Sequence, residues 1–342
     1  MHNPAPASQQ PASQQTASDQ TAPNQPTESV PTRALHLWHL LSLDAPTIAT
    51  LWTWFIARAA GVHLPASGLA AMFLSVWTLY AADRLLDARP LFTNPHHTHN
   101  LEARHLFHHR HATRFLTIIA IVAVALVILV HDLLPQALHL YVVLATLLAT
   151  WFLLIHASAP DHRLPKELAV GLFFPAALFI PTVARRPDLR LPLLPHALLL
   201  GALCALNCLA IYAWEHPPAG IAAHPEVHPD TQPEATAHWT TRYATRHLTT
   251  LATTLTLASL TLAFVTRHTT LWPLALAISL SVLILLILDR THHHLTPLTL
   301  RATADLALLT PMFCLIPVLV SNAAISAHLS ALRVRLSHGA PQ

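Results

Sequence analysis

The chain has 342 residues, 53% of them hydrophobic and only 10% charged, with a mean hydropathy of +0.46. That balance excludes a soluble globular domain of this size and points to an integral membrane protein held in a lipid bilayer. The net charge of +3 rests on few residues, and no basic cluster with interleaved aromatics appears, which argues against nucleic acid as a partner.

Residues 1 to about 32 are Gln, Pro, Ser, Ala and Thr without apolar periodicity, so 1–33 reads as a disordered tail. It lacks a basic start followed by an apolar core, which argues against a cleaved signal peptide. Apolar runs then follow, close to the roughly 20 residues that cross a hydrocarbon core. They predict nine helices, near 38–60, 66–87, 114–131, 135–156, 166–184, 193–215, 247–266, 270–288 and 302–322. The first opens among His36, His39 and Asp44. Scarce glycine (6) and abundant proline (28) put most of the length in helix, with prolines at ends and kinks. Pro175 and Pro181 fall inside the fifth expected helix, Pro311 and Pro317 inside the ninth, and such broken helices are also a transporter feature. The membrane domain is then 34–325, with a short tail at 326–342.

Nine spans place the two termini on opposite sides. With the N-terminus inside, inner segments hold 12 of the 19 Lys and Arg residues and outer segments hold 7. The bias favours a cytoplasmic N-terminus in a multi-pass protein of the bacterial inner (cell) membrane type. The long connections 88–113 and 216–246 then both face the cytoplasm.

Candidate chemistry gathers on that side. Asp83 and Asp87 stand four apart at the end of the second helix, on one face, and Asn207 and Glu215 stand eight apart at the end of the sixth. Four oxygen-bearing side chains at corresponding ends suit Mg²⁺, which needs only one or two carboxylates when substrate phosphates and water complete its octahedron. Lys166, Arg84 and Arg89 are placed to pair with remaining phosphate charge. The plainer reading is that these are interfacial polar residues marking helix ends, as Asp132 and Asp305 are taken to be. Cys204, Cys208 and Cys314 sit inside apolar runs and read as packing.

Histidine is unusually frequent (27), and His105, His108 and His109 have the H-x-x-H-H spacing of membrane di-iron oxidases, with His96, His97, His99 and His111 nearby. Such enzymes need several boxes and fewer helices, so loop histidines of biased composition are the simpler account.

The chain resembles the UbiA superfamily of intramembrane prenyltransferases, which have nine helices and two Asp-rich motifs at the cytoplasmic ends of helices 2 and 6. The first motif, N-D-x-x-D-x-x-x-D, keeps its second half here as Asp83 and Asp87, with Leu79 and Tyr80 in place of the leading Asn and Asp. The second corresponds to NCLAIYAWE (207–215), which supplies Asn207, Tyr212 and Glu215 in a looser spacing. LSLDAPTIATLW resembles the opening pattern, with Ser42 where the family has Arg; ARPL (88–91) and LPKEL (164–168) resemble two further short motifs. The resemblance implies an all-α UbiA-like bundle that uses Mg²⁺ to draw diphosphate from a polyprenyl donor, passing the prenyl group to a hydrophobic acceptor, aromatic or lipid. It implies Asp83, Asp87, Asn207 and Glu215 as metal ligands, with Asp83, Asp87 and Glu215 catalytic, and Lys166, Arg84, Arg89, Asn207 and Tyr212 on the diphosphate. The missing acids keep open a non-catalytic relative or a transporter, with a di-iron oxidase behind them.

Overall fold

The computed structural model describes residues 30–87, 107, 110–157, 166–215 and 239–314, and every regular element among them is helical. α1 (Val30–Leu40) and α2 (Asp44–Ala59) are followed by α3 (Ala66–Asp87), α4 (Ala112–Val130), α5 (Pro135–Ala157), α6 (Lys166–Arg185) and α7 (Arg190–Glu215). Then come α8 (Trp239–Arg246), α9 (Leu248–Val265), α10 (Trp272–Thr291) and α11 (Pro297–Leu306), which runs into a 3₁₀ turn at Ala307–Met312. Most of the expected tail, most of both long connections with Arg89 and the H-x-x-H-H group, the end of the ninth expected helix and the C-terminal tail lie outside the described residues.

Among the described residues six helices are long and apolar enough to cross a membrane: α3, α4, α6, α7, α9 and α10. The bent pair α1–α2 makes a seventh if it counts as one span, and the apolar stretch of α5 over 135–151 is shorter. The chain is therefore an all-helical multi-pass membrane protein, and among the described residues the expected nine spans are not reached.

Two expected elements differ from what forms. The helix expected over 38–60 is two helices bent by 85°. Ser42 between them sits at φ 56, a left-handed conformation rare for a residue with a side chain. The corner closes as Ser42 N–H donates to His39 O and Leu43 N–H to Trp38 O. The helix expected from 302 begins earlier, at Pro297, where proline suits a first turn and Thr296 caps it by accepting the Thr299 N–H. It tightens to 3₁₀ from Ala307, with Pro311 inside that turn.

α2 is central. Trp52, Phe55 and Ile56 are fully buried, and the helix packs against α3, α6 and the α11–3₁₀ segment. The Trp52 indole N–H donates to Leu308 O at 2.8 Å, giving the buried indole its polar partner. On the far side α9 pairs with α10, and both lean on α7. α4 packs along α3 and α5 along α6. In α4, Ile121 and Val127 are 63% and 75% exposed, which is apolar surface suited to lipid and not to water.

α6 and α7 approach closely where Gly171 faces Gly201: a Cβ on Gly171 would lie 2.8 Å from the Gly201 carbonyl oxygen. Close backbone approach at small residues is how membrane helices gain packing contact. Gly171→Leu should therefore destabilise the fold by about 1–3 kcal/mol or more, read as a lower melting temperature in detergent. Gly68→Ala, whose new Cβ would meet Pro65 at 3.7 Å, should leave that temperature unchanged or raise it.

Candidate functional site

Five helices bring polar side chains to one end of the apolar bundle. His39 is the penultimate residue of α1, Asp44 the first of α2, and Asp305 the penultimate residue of α11. Arg84 lies in the last turn of α3 and Asn207 in the second half of α7. His39, Asp44, Arg84 and Asn207 are 2%, 3%, 6% and 6% exposed and the Asp305 side chain 17%, so charge here is compensated mainly by protein and not by water.

The contacts follow from that need. His39 Nδ1 lies 2.7 Å from Asp44 Oδ2 and 3.5 Å from Asp305 Oδ2. Asp44 Oδ1 accepts the Ala45 N–H at 2.9 Å, and Arg84 is within electrostatic reach of the same carboxylate. Arg84 Nε donates to Ser42 Oγ at 3.1 Å, which ties α3 to the corner between α1 and α2. Asn207 Nδ2 donates to Asp305 Oδ1 at 3.4 Å.

A second polar layer lies further along α7 and α11. Arg301 stands one turn before Asp305, and Glu215 two turns after Asn207, so each helix repeats a polar residue on one face. The helices run antiparallel there, so Asn207 meets Asp305 while Glu215 meets Arg301. The Arg301 Nε and Nη2 groups donate to both Glu215 carboxylate oxygens in a forked pair. Beside it Trp214 Nε1 donates to Asp289 Oδ1 at 2.8 Å, and the His292 ring stacks on Trp214. His36 Nε2 and Thr299 Oγ1 stand 3.0 Å apart, joining α1 to α11.

The residues singled out in the sequence divide among these surroundings. Asn207 is buried in the inner layer, Glu215 is engaged by Arg301 and Tyr212 is half-buried. Asp83 is exposed, whereas its neighbour Arg84 turns inward. Asp87 closes α3 and Lys166 opens α6, with both side chains, like Arg89, outside the described residues. The structure thus joins Asn207 to Asp305 and Glu215 to Arg301, and brings in His39 and Asp44. Periodicity pointed to none of those partners, because they sit on elements far apart in the chain.

The chain matches no protein-family model, no curated protein and no solved structure.

Breaking the Arg301–Glu215 fork would leave a charge in a mostly dry site. The Glu215 side chain keeps 21% of its area exposed, so Glu215→Gln should cost less than the roughly 3–5 kcal/mol of a fully buried pair. Chemical denaturation in detergent measures it. The double variant Glu215→Leu with Arg301→Met should recover most of the loss, since no lone charge then remains.

Proposed function

We propose that this protein is an intramembrane transferase that moves a prenyl group from a Mg²⁺-bound polyprenyl diphosphate to a hydrophobic acceptor. In this reading the chain has nine spans in a UbiA-like arrangement in the inner membrane, with a cytoplasmic N-terminus. The observation that carries it is the shared placement of two helix ends. The end of α3 with Asp83, Arg84 and Asp87 lies at the same end of an apolar bundle as the end of α7 with Asn207, Tyr212 and Glu215.

The residues present fit part of the magnesium requirement. Asp83 and Asp87, a turn apart, would supply the one or two carboxylates the ion needs, and bound Mg²⁺ would stabilise the leaving diphosphate. Lys166 and Arg89 would take the remaining phosphate charge. Arg84 is directed elsewhere, to Ser42 and towards Asp44, so it positions the inner layer. Asn207 and Glu215 serve in the same way through Asp305 and Arg301. The apolar faces of α4 and α5 are suited to a prenyl chain arriving from the bilayer.

Sequestration of Glu215 by Arg301 favours a second reading, a non-catalytic relative or transporter whose polar end binds lipid or a partner. Calorimetric titration of the purified full chain with geranylgeranyl diphosphate separates the two. Binding that requires Mg²⁺ and weakens at least about tenfold in Asp83→Ala and Asp87→Ala is expected of the transferase. Asp83 is exposed, so its variant should fold normally. Binding indifferent to Mg²⁺, or unchanged in both variants, would remove the transferase reading.

A further inference from the structure

The inner layer holds donor atoms that its own contacts leave unused. Both ring nitrogens of His39 are buried and make no aligned hydrogen bond, although Nδ1 is 2.7 Å from Asp44 Oδ2 and 3.5 Å from Asp305 Oδ2. An imidazole held by a carboxylate alone directs its N–H along the line to the oxygen. A short contact off that line is what two donors sharing an ion present. With bonds of about 2.1 Å, neighbouring ligands stand about 3.0 Å apart around an octahedral ion and about 3.4 Å apart around a tetrahedral one. Each then aims its lone pair at the ion and not at its neighbour. One donor atom from each of His39, Asp44 and Asp305 lies within 4.8 Å of the other two.

Asn207 is an independent indication. It is 6% exposed and turned into the cluster, since its Nδ2 meets Asp305 Oδ1, yet its own Oδ1 is buried without a partner. A buried carbonyl oxygen left bare forfeits its hydration without recovering a partner. An ion beside Asp305 would satisfy it.

We propose that His39, Asp44, Asp305 and Asn207 form a binding site for a divalent first-row transition ion, Zn²⁺, Mn²⁺ or Fe²⁺, separate from any Mg²⁺ on Asp83 and Asp87. One imidazole among oxygen donors suits such an ion, whereas Mg²⁺ prefers oxygen alone. Two carboxylates neutralise its charge, and Asp44 Oδ1 is already taken by the Ala45 N–H, leaving Oδ2 for the metal. The ligands come from α1, α2, α7 and α11, so the ion would lock the corner at Ser42 onto the bundle. This site stands whether or not the protein transfers prenyl groups.

Full-length protein in detergent, stripped with EDTA and titrated with Co²⁺, reports the site through its visible absorption. One ion per chain, displaced by Zn²⁺, is expected. His39→Gln and Asp305→Asn should each weaken it at least about tenfold. Joint replacement of the triplet His292, His293 and His294 by alanine should leave it unchanged. No stoichiometric ion on the wild-type chain overturns the proposal, as does binding that is lost with the triplet and kept in His39→Gln. If His39→Gln does not fold, Asp44→Asn and Asn207→Ala carry the same expectation, and full affinity in either overturns it.

Discussion

A carboxylate inside an apolar helix bundle has no water to turn to, and this constraint organises the polar end of the protein. Asp44 and Asp305 are compensated by His39, Arg84, Asn207 and a backbone amide, each from a different helix or turn. No one element could supply that set. The 85° corner between α1 and α2 follows, because only by turning at Ser42 does the chain place His39 and Asp44 side by side. The left-handed backbone at Ser42 is strain that the surrounding polar contacts hold in place.

Around this end the rest of the molecule is apolar packing, graded by depth. α2 is surrounded by other helices and carries the large buried side chains, while α4 leaves most of its surface to lipid. The Gly171–Gly201 approach sets how near α6 and α7 come, and so where Asn207 and Glu215 stand relative to α11. The Trp52 bond to Leu308 O anchors the 3₁₀ turn that continues α11, which fixes the register of Asp305 against Asp44. Helix packing and polar contacts therefore specify one another.

The corner between α1 and α2 draws a cation from a distant helix. The Arg84 side chain arrives from α3 to bond the Ser42 hydroxyl, two places before Asp44. A guanidinium thereby reaches the neighbourhood of Asp44. Likewise the carboxylate of Glu215 finds its cation in Arg301, one turn from Asp305. Both pairs turn charged side chains of α3 and α7 towards the junction of α1, α2 and α11.

The amino-acid sequence by itself determined the class of protein and the approximate helices, because apolar length and proline placement are local properties that the bilayer reads directly. It also placed Asn207 and Glu215 on one face of one helix, since the helical period needs no partner to be counted. Asp305 looked interfacial, and His39 and Asp44 looked like the start of one continuous helix. Their meeting depends on a corner at a residue with no glycine or proline to announce it, and on partners near opposite ends of the chain. Only the tertiary structure decided which buried charge faces which, because pairing across helices is set by packing and not by spacing along the sequence.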